Sequence, residues 1–187
     1  MDQQALIERA QRGDHDAFAA LIDPALARLD AAARLIIRDR ELARDAVQEA
    51  LIRAWRDVRV LRDPERFDAW LYRLTVHACL DQVRRRRRRV IEVTLETVQM
   101  RGASDLSGEI ASRELVDQAL AMLQPGHRAV VALHFLLGLP LREVAEVLGI
   151  PLGTAKSRLH YSLLTMRAGV RPSADSPGAI FPGGQVA

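Results

Sequence analysis

Residues 141–164, LREVAEVLGIPLGTAKSRLHYSLL, read as two short helices joined by a tight turn. Val144, Ala145 and Leu148 make an apolar face at helical spacing, so the first helix is expected to pack one side inward. Gly149 follows directly, where a left-handed residue would end that helix. Ile150 can plug the gap between the helices. Pro151, Gly153 and Thr154 restart the chain, with Thr154 read as an N-cap. The second helix turns Leu159 and Leu163 inward and shows Lys156, Ser157, Arg158, His160 and Tyr161 on its other face. Those side chains reach phosphates and base edges, and the layout is that of a helix-turn-helix whose second helix enters the major groove. An ordinary helical hairpin with a solvated polar face has the same pattern, so the rest of the chain has to decide.

The chain has 187 residues, 49% of them hydrophobic and only 4% aromatic, so its cores must be built from Leu, Val and Ala. Abundant Ala, Leu, Arg and Glu favour an all-α fold. The net charge is only +3, but the basic residues are unevenly placed, and every one except Lys156 is arginine. Arginine suits bidentate contact with phosphate. Cys79 is the sole cysteine, which excludes an intrachain disulfide and fits a reducing cytoplasm. The N-terminal stretch is polar and amphipathic, and no apolar run approaches a membrane span, so a cytoplasmic protein without membrane insertion is expected.

Taken in order, Asp2 can cap a first helix with Leu6, Ile7 and Ala10 on one face and Gly13 as its stop. Asp14 can cap a second, with Ala17, Phe18, Leu21 and Ile22 inward, interrupted or restarted at Pro24. Residues 40–56 carry a wide apolar stripe, with Asp45, Gln48 and Glu49 off it as an acidic, polar patch; a solvated face explains that patch equally well. Residues 57–62 read as a loop. Asp63 and Pro64 then open a helix in which Phe67, Trp70, Leu71, Leu74 and Ala78 follow core spacing. His77 and Cys79 are two apart and share no helix face, and there is no second Cys/His cluster, so no metal is expected.

That helix ends in six consecutive arginines, Arg84 to Arg89. Such a block repels itself unless an anion offsets it, and it offers a dense phosphate-contact surface. From Val90 the composition shifts to a linker. Helical spacing resumes at Ser112, with Leu115, Val116, Ala119, Leu120 and Leu123 inward. Pro125 opens another helix that runs to Gly138, with His134 read as a packed or capped histidine. After residue 168 the tail is rich in Gly, Pro and Ser and is expected to be disordered unless Ile180 and Phe181 dock.

Two basic elements separated by a linker, the second a helix-turn-helix, resemble a bacterial sigma-70 family transcription factor of the extracytoplasmic-function group. Three stretches carry the resemblance: ARDAVQEALIRAW (43–55), DPERFDAWLYRLTVHACLDQVRRRRRR (63–89) and LREVAEVLGIPLGTAKSRLH (141–160). The first is similar to the family's core-polymerase-binding helix, the second to its promoter −10 helix, the third to its −35 element. The resemblance implies that Asp45, Gln48 and Glu49 meet the β′ clamp helices of core RNA polymerase. It implies that the loop from Val58 to Arg66, with Arg59 and Arg62, captures a flipped base of the −10 strand. His77, Arg84, Arg85, Arg86, Arg87 and Arg88 would hold −10 DNA. Thr154, Lys156, Ser157, Arg158, His160 and Tyr161 would face the −35 groove. Leu133 to Leu137 would dock the β flap, and the acidic linker would thread the polymerase channels. Departures from the family pattern stand at Val76 and His77, often Arg-Asn, and at Tyr161, often Arg.

The expected architecture is therefore all-α, with two helical domains joined by a flexible linker and a helix-turn-helix in the second. Residues 1–89 form the region 2-like domain, 90–111 the linker, 112–168 the region 4-like domain and 169–187 the tail. The expected function is promoter-specific initiation with core polymerase on promoter DNA, without catalysis or a cofactor, under the control of an anti-sigma factor. Two alternatives remain open on the residues alone. One is a dimeric helix-turn-helix regulator acting without polymerase. The other is a DNA enzyme, which would need a nucleophile and acid/base groups not evident here.

Overall fold

The computed structural model describes residues 2–93 and 109–170, and all regular structure among them is helical. The elements are α1 (Gln3–Gln11), α2 (His15–Ile37), α3 (Arg40–Asp57), α4 (Phe67–Val93), α5 (Glu109–Ala121), α6 (Pro125–Val131), α7 (Leu141–Leu148) and α8 (Leu152–Val170). Two short 3₁₀ turns, Val58–Val60 and Pro64–Arg66, join α3 to α4, and a π-helical turn, Ala132–Leu136, follows α6.

Aspartates start the first half. Asp2, Asp14 and Asp39 accept from the backbone N–H groups of Gln4, Ala17 and Leu42, and Asp63 does the same for Glu65. Each satisfies an orphan donor and places negative charge at a helix N-terminus. The Asp14 carboxyl is held below the ordinary aspartate range, chiefly by the Ala17 N–H and then by Arg9, which also pairs with it at 2.8 Å.

Pro24 does not break α2, which runs unbroken for 23 residues. Pro24 sits on the exposed face, as does Ala20, whose carbonyl loses its partner, so water can take the freed group. Buried Leu21, Ile22, Ala25 and Leu29 continue on the opposite side and hold the helix together. At the far end Arg38 adopts a left-handed conformation, φ 58°, which turns the chain into α3. Helix α4 extends four residues past the expected boundary, because Val90 to Val93 contain no glycine or proline to stop it. α5 likewise begins at Glu109, before Ser112. Residues 94–108, the core of the expected linker, and the tail from 171, with Ile180 and Phe181, lie outside the described residues.

The first-half core joins α1 to α4 around Ile7, Leu29, Ile36, Phe67, Leu71 and Val76, all fully buried. Each contributes on the order of 2 kcal/mol by burial. The same apolar cluster continues through Val130, Leu133, Val144 and Leu159. The two expected domains are thus packed against each other, with α6 on α2 and α7 on α4. Arg128 crosses this junction almost fully buried: its Nε donates to the Ile36 carbonyl at 2.8 Å and its Nη1 to the Leu123 carbonyl at 2.6 Å. Nearby, Arg38 forks onto Asp117 of α5 at 2.9 and 3.1 Å. Burial, and then the like charge of Arg38, bring the Arg128 guanidinium down to about 10, so it stays protonated at neutral pH.

Leu115 and Val116, expected inward, are 41% and 48% exposed. Among the α5 residues whose side chains are described, Ala119 and Leu120 reach the core, together with nearby Leu123.

Candidate nucleic-acid interface

The helix-turn-helix forms as its residues dictate. Gly149 takes φ +63°, its N–H bonds the Glu146 carbonyl at 3.2 Å, and the Ile150 N–H reaches the Ala145 carbonyl at 3.0 Å. This paired pattern is a Schellman close, and a side chain at Gly149 would be strained. The Pro151 carbonyl accepts from Thr154 and Ala155, so α8 begins earlier than expected. Thr154 lies within its first turn and is not the cap. Ala155, Leu159 and Ser162 are buried, the last donating to the Arg158 carbonyl at 2.7 Å.

Lys156, Ser157, His160 and Tyr161 stand exposed on the opposite side. Arg158 is half-buried and turns back toward α6, with its guanidinium beside Gly126. His127 packs near Tyr161, ring centroids 5.1 Å apart, and burial followed by the Arg158 charge pushes its imidazole below the ordinary histidine range. His127 was not legible as part of this surface, because its contact depends on how α6 crosses α8.

The loop between α3 and α4 is anchored by Val58, which is fully buried. Its side chain therefore belongs to the core and is not available to touch a base, which corrects its assignment as a DNA contact. Arg59, Arg62 and Arg66 are exposed. Arg62 and Arg66 line a cleft of about 630 Å³ whose other walls include Trp70 and Arg73 of α4 and Arg142 and Glu146 of α7. Arg66 pairs with Asp63 at 3.4 Å and approaches Glu146 at 3.8 Å. Trp70, expected in the core, is half-buried at this cleft's edge, tilted against Phe67. Arg73, three residues on, shares its face; that spacing was the available signal.

The arginine block is less uniform than its sequence. Arg84 pairs with Asp81 at 3.1 Å, Arg85 with Glu49 at 3.5 Å and Arg86 with Asp39 at 3.0 Å. Arg87 and Arg88 are exposed, as is His77. On α3, Asp45 and Gln48 are exposed, while Glu49 is half-buried and also pairs with Arg53. The acidic, polar patch thus holds two outward groups and one engaged within the fold. Cys79 is buried, and burial raises its thiol to about 12, so it is chemically inert at neutral pH.

The chain matches two family models, Sigma-70 region 2 over residues 21–89 and Sigma-70, region 4 over residues 113–166. It is 36% identical to the ECF RNA polymerase sigma factor SigL of Mycobacterium tuberculosis strain H37Rv, covering 69% of this chain and 75% of that one. It is 26% identical to the ECF RNA polymerase sigma factor SigW of Bacillus subtilis strain 168, over 88% and 95% of the two chains. Among solved structures it is similar to CnrH in complex with the cytosolic domain of CnrY, at TM-score 0.64 and 27% identity over 89% of this chain and 96% of that one. It is also similar to the sigma factor RpoE in complex with the anti-sigma factor NepR from Bartonella quintana, at TM-score 0.67 and 25% identity over 82% and 96%. The region 2 match spans α3, the loop and the arginine block, and the region 4 match spans the helix-turn-helix. The chain therefore belongs to the sigma-70 family, as an extracytoplasmic-function sigma factor that works with RNA polymerase to direct promoter-specific transcription initiation.

Proposed function

We propose that the three surfaces divide the work as follows. Asp45 and Gln48 on α3 meet the β′ clamp helices of core polymerase, with Glu49 acting mainly to hold Arg53 and Arg85. The loop carrying Arg59, Arg62 and Arg66 takes the −10 strand, with Trp70 and Arg73 extending it, and His77 and Arg84 to Arg88 follow the backbone. Lys156, Ser157, His160 and Tyr161 read the −35 groove, with Thr154 and Arg158 at its margin. The observation that carries this reading is the exposed polar face of α8 opposite its buried Ala155 and Leu159. That is the disposition a recognition helix needs.

Phe135 and Leu136 are 59% and 36% exposed on the π-helical turn, while Leu133 and Leu137 are buried. A π turn re-aims side chains, and this apolar pair is the β-flap contact in our reading. The chain carries no chemistry of its own in this scheme. In this reading it acts in the cytoplasm and is restrained by an anti-sigma factor; what supports the partner is that the similar sigma factor RpoE forms a complex with the anti-sigma factor NepR.

The closed packing has a consequence for this scheme. Elements named −10 and −35 lie about 25 base pairs, or roughly 85 Å, apart at 3.4 Å per pair. A folded body of this size is only about 40 Å across. Engaging both elements requires α6 and α7 to leave α2 and α4, breaking the Arg128–Ile36 and Arg38–Asp117 contacts.

The −35 assignment is tested by Lys156→Ala in the polymerase complex. Affinity for promoter duplex is expected to fall about tenfold at low salt, with the slope of log affinity against log salt reduced by about one. An unchanged slope and affinity would remove α8 from the DNA.

A further inference from the structure

Helix α1 ends ten residues before the region 2 match begins at residue 21, yet it packs against the loop assigned to −10 DNA. Leu6, Ile7 and Ala10 bury its inner face. Its last residue, Gln11, is half-buried, and its Nε2 donates to two carbonyls of that loop, Val58 at 3.2 Å and Leu61 at 2.9 Å. The Val58 carbonyl also accepts from the Leu61 N–H at 3.1 Å, closing the 3₁₀ turn. One amide thus holds both ends of the turn that presents Arg59 and Val60. At the other end of α1, Gln3 Nε2 reaches Asp68 Oδ1 at 3.4 Å, just past the loop. Between α1 and α2, Gly13 takes φ +94°, and a Cβ there would stand 3.6 Å from the Arg59 guanidinium.

From this geometry we propose that α1 is a brace for the −10 loop and that Gln11 is a positioning residue for promoter recognition. The loop has little regular structure of its own: two 3₁₀ turns separated by Leu61 to Asp63. Its shape is therefore set by what its carbonyls bond to, and Gln11 supplies the side-chain donor to two of them. A base pocket held on a loop loses discrimination when its backbone is free to move. Gln11 touches no DNA in this scheme. It acts through the backbone that carries Arg59, Val60 and Arg62. The inference rests on the −10 reading of the loop.

The test uses the full chain bound to core polymerase and a promoter library randomised across the −10 and −35 regions, read by sequencing the templates that yield transcripts. Four proteins are compared: the wild type, Gln11→Met, Gln11→Lys and Val60→Asp. Methionine keeps the length and loses the donor; lysine keeps a donor of similar reach. Val60 is 75% exposed on the loop and reports whether the loop reads DNA at all. Gln11→Met is expected to weaken −10 sequence preference about tenfold, the scale of two lost hydrogen bonds. The −35 preference should be unchanged and Tm should stay within about 4 °C. Amide exchange should rise at residues 59–62, and Gln11→Lys should restore most of the preference. If Val60→Asp loses −10 preference and Gln11→Met keeps it, the brace is refuted while the loop assignment stands. If Gln11→Met lowers both preferences together with a large fall in Tm, the role is only structural and the inference fails. If neither substitution alters −10 preference, the loop is not the reader, and the inference falls with that reading.

Discussion

Replacing Arg128 by methionine is expected to cost about 3 kcal/mol, because it strips the Ile36 and Leu123 carbonyls of a charged donor in a buried junction. For a chain of this size that is a fall in Tm of roughly 6–12 °C. The guanidinium sits where α2 ends, so it also opposes the negative end of that helix's dipole. Its own desolvation is costly, which the lowered pKa of about 10 records. Those carbonyls are what offset the cost, and removing the fork leaves them dry. Arg128→Lys should recover only part of the loss, since one ammonium cannot reproduce a planar fork aimed two ways. Arg38→Ala should matter far less, because Asp117 is 63% exposed and the pair is screened. Thermal unfolding of the three variants checks this ordering. A methionine variant as stable as the wild type would show that Arg128 does not hold the junction.

The second large effect concerns polymerase. Asp45→Arg combined with Gln48→Arg is expected to weaken association with core polymerase on the order of 100-fold, by placing two cations on the face we propose meets a basic partner surface. Both positions are exposed on α3, so the fold should tolerate them. Glu49 is left unchanged because it pairs with Arg53 and Arg85, and reversing it would set three arginines together where an ion-pair network now stands. Co-elution of the variant with purified core, beside an unchanged circular dichroism spectrum and Tm, separates lost docking from lost folding. Undiminished co-elution would move the docking face away from Asp45 and Gln48.

Much of the scaffold was legible because local chemistry and tertiary packing agree there. Asp2, Asp14 and Asp63 announced their turns, and Gly149 announced the break between α7 and α8. The helix-turn-helix face was readable because it depends only on spacing within one helix. The departures all come from facts that spacing does not carry. Pro24 continues α2 because its face happens to be solvated. Val58 is buried because α1 and the 3₁₀ turn close over it, so a residue inside the loop proposed to take the −10 strand became an anchor. Leu115 and Val116 stay exposed although their pattern is apolar. Arg158 folds back on α6, and Glu49 pairs across to α4. Each depends on contacts between elements distant in sequence. Gln11 was invisible for the same reason: nothing local distinguishes a glutamine that ends a helix from one that bonds carbonyls 47 and 50 residues away.

The most direct test of the scheme is transcription itself. Purified core polymerase is given a promoter library or fragmented genomic DNA, with and without this chain, and transcript 5′ ends are mapped. Start sites that require the chain and share two upstream motifs, one near −10 lost with Val60→Asp and one near −35 weakened by Lys156→Ala, are the predicted result. A folded chain that binds duplex DNA by itself, never joins core polymerase and creates no start sites would contradict it.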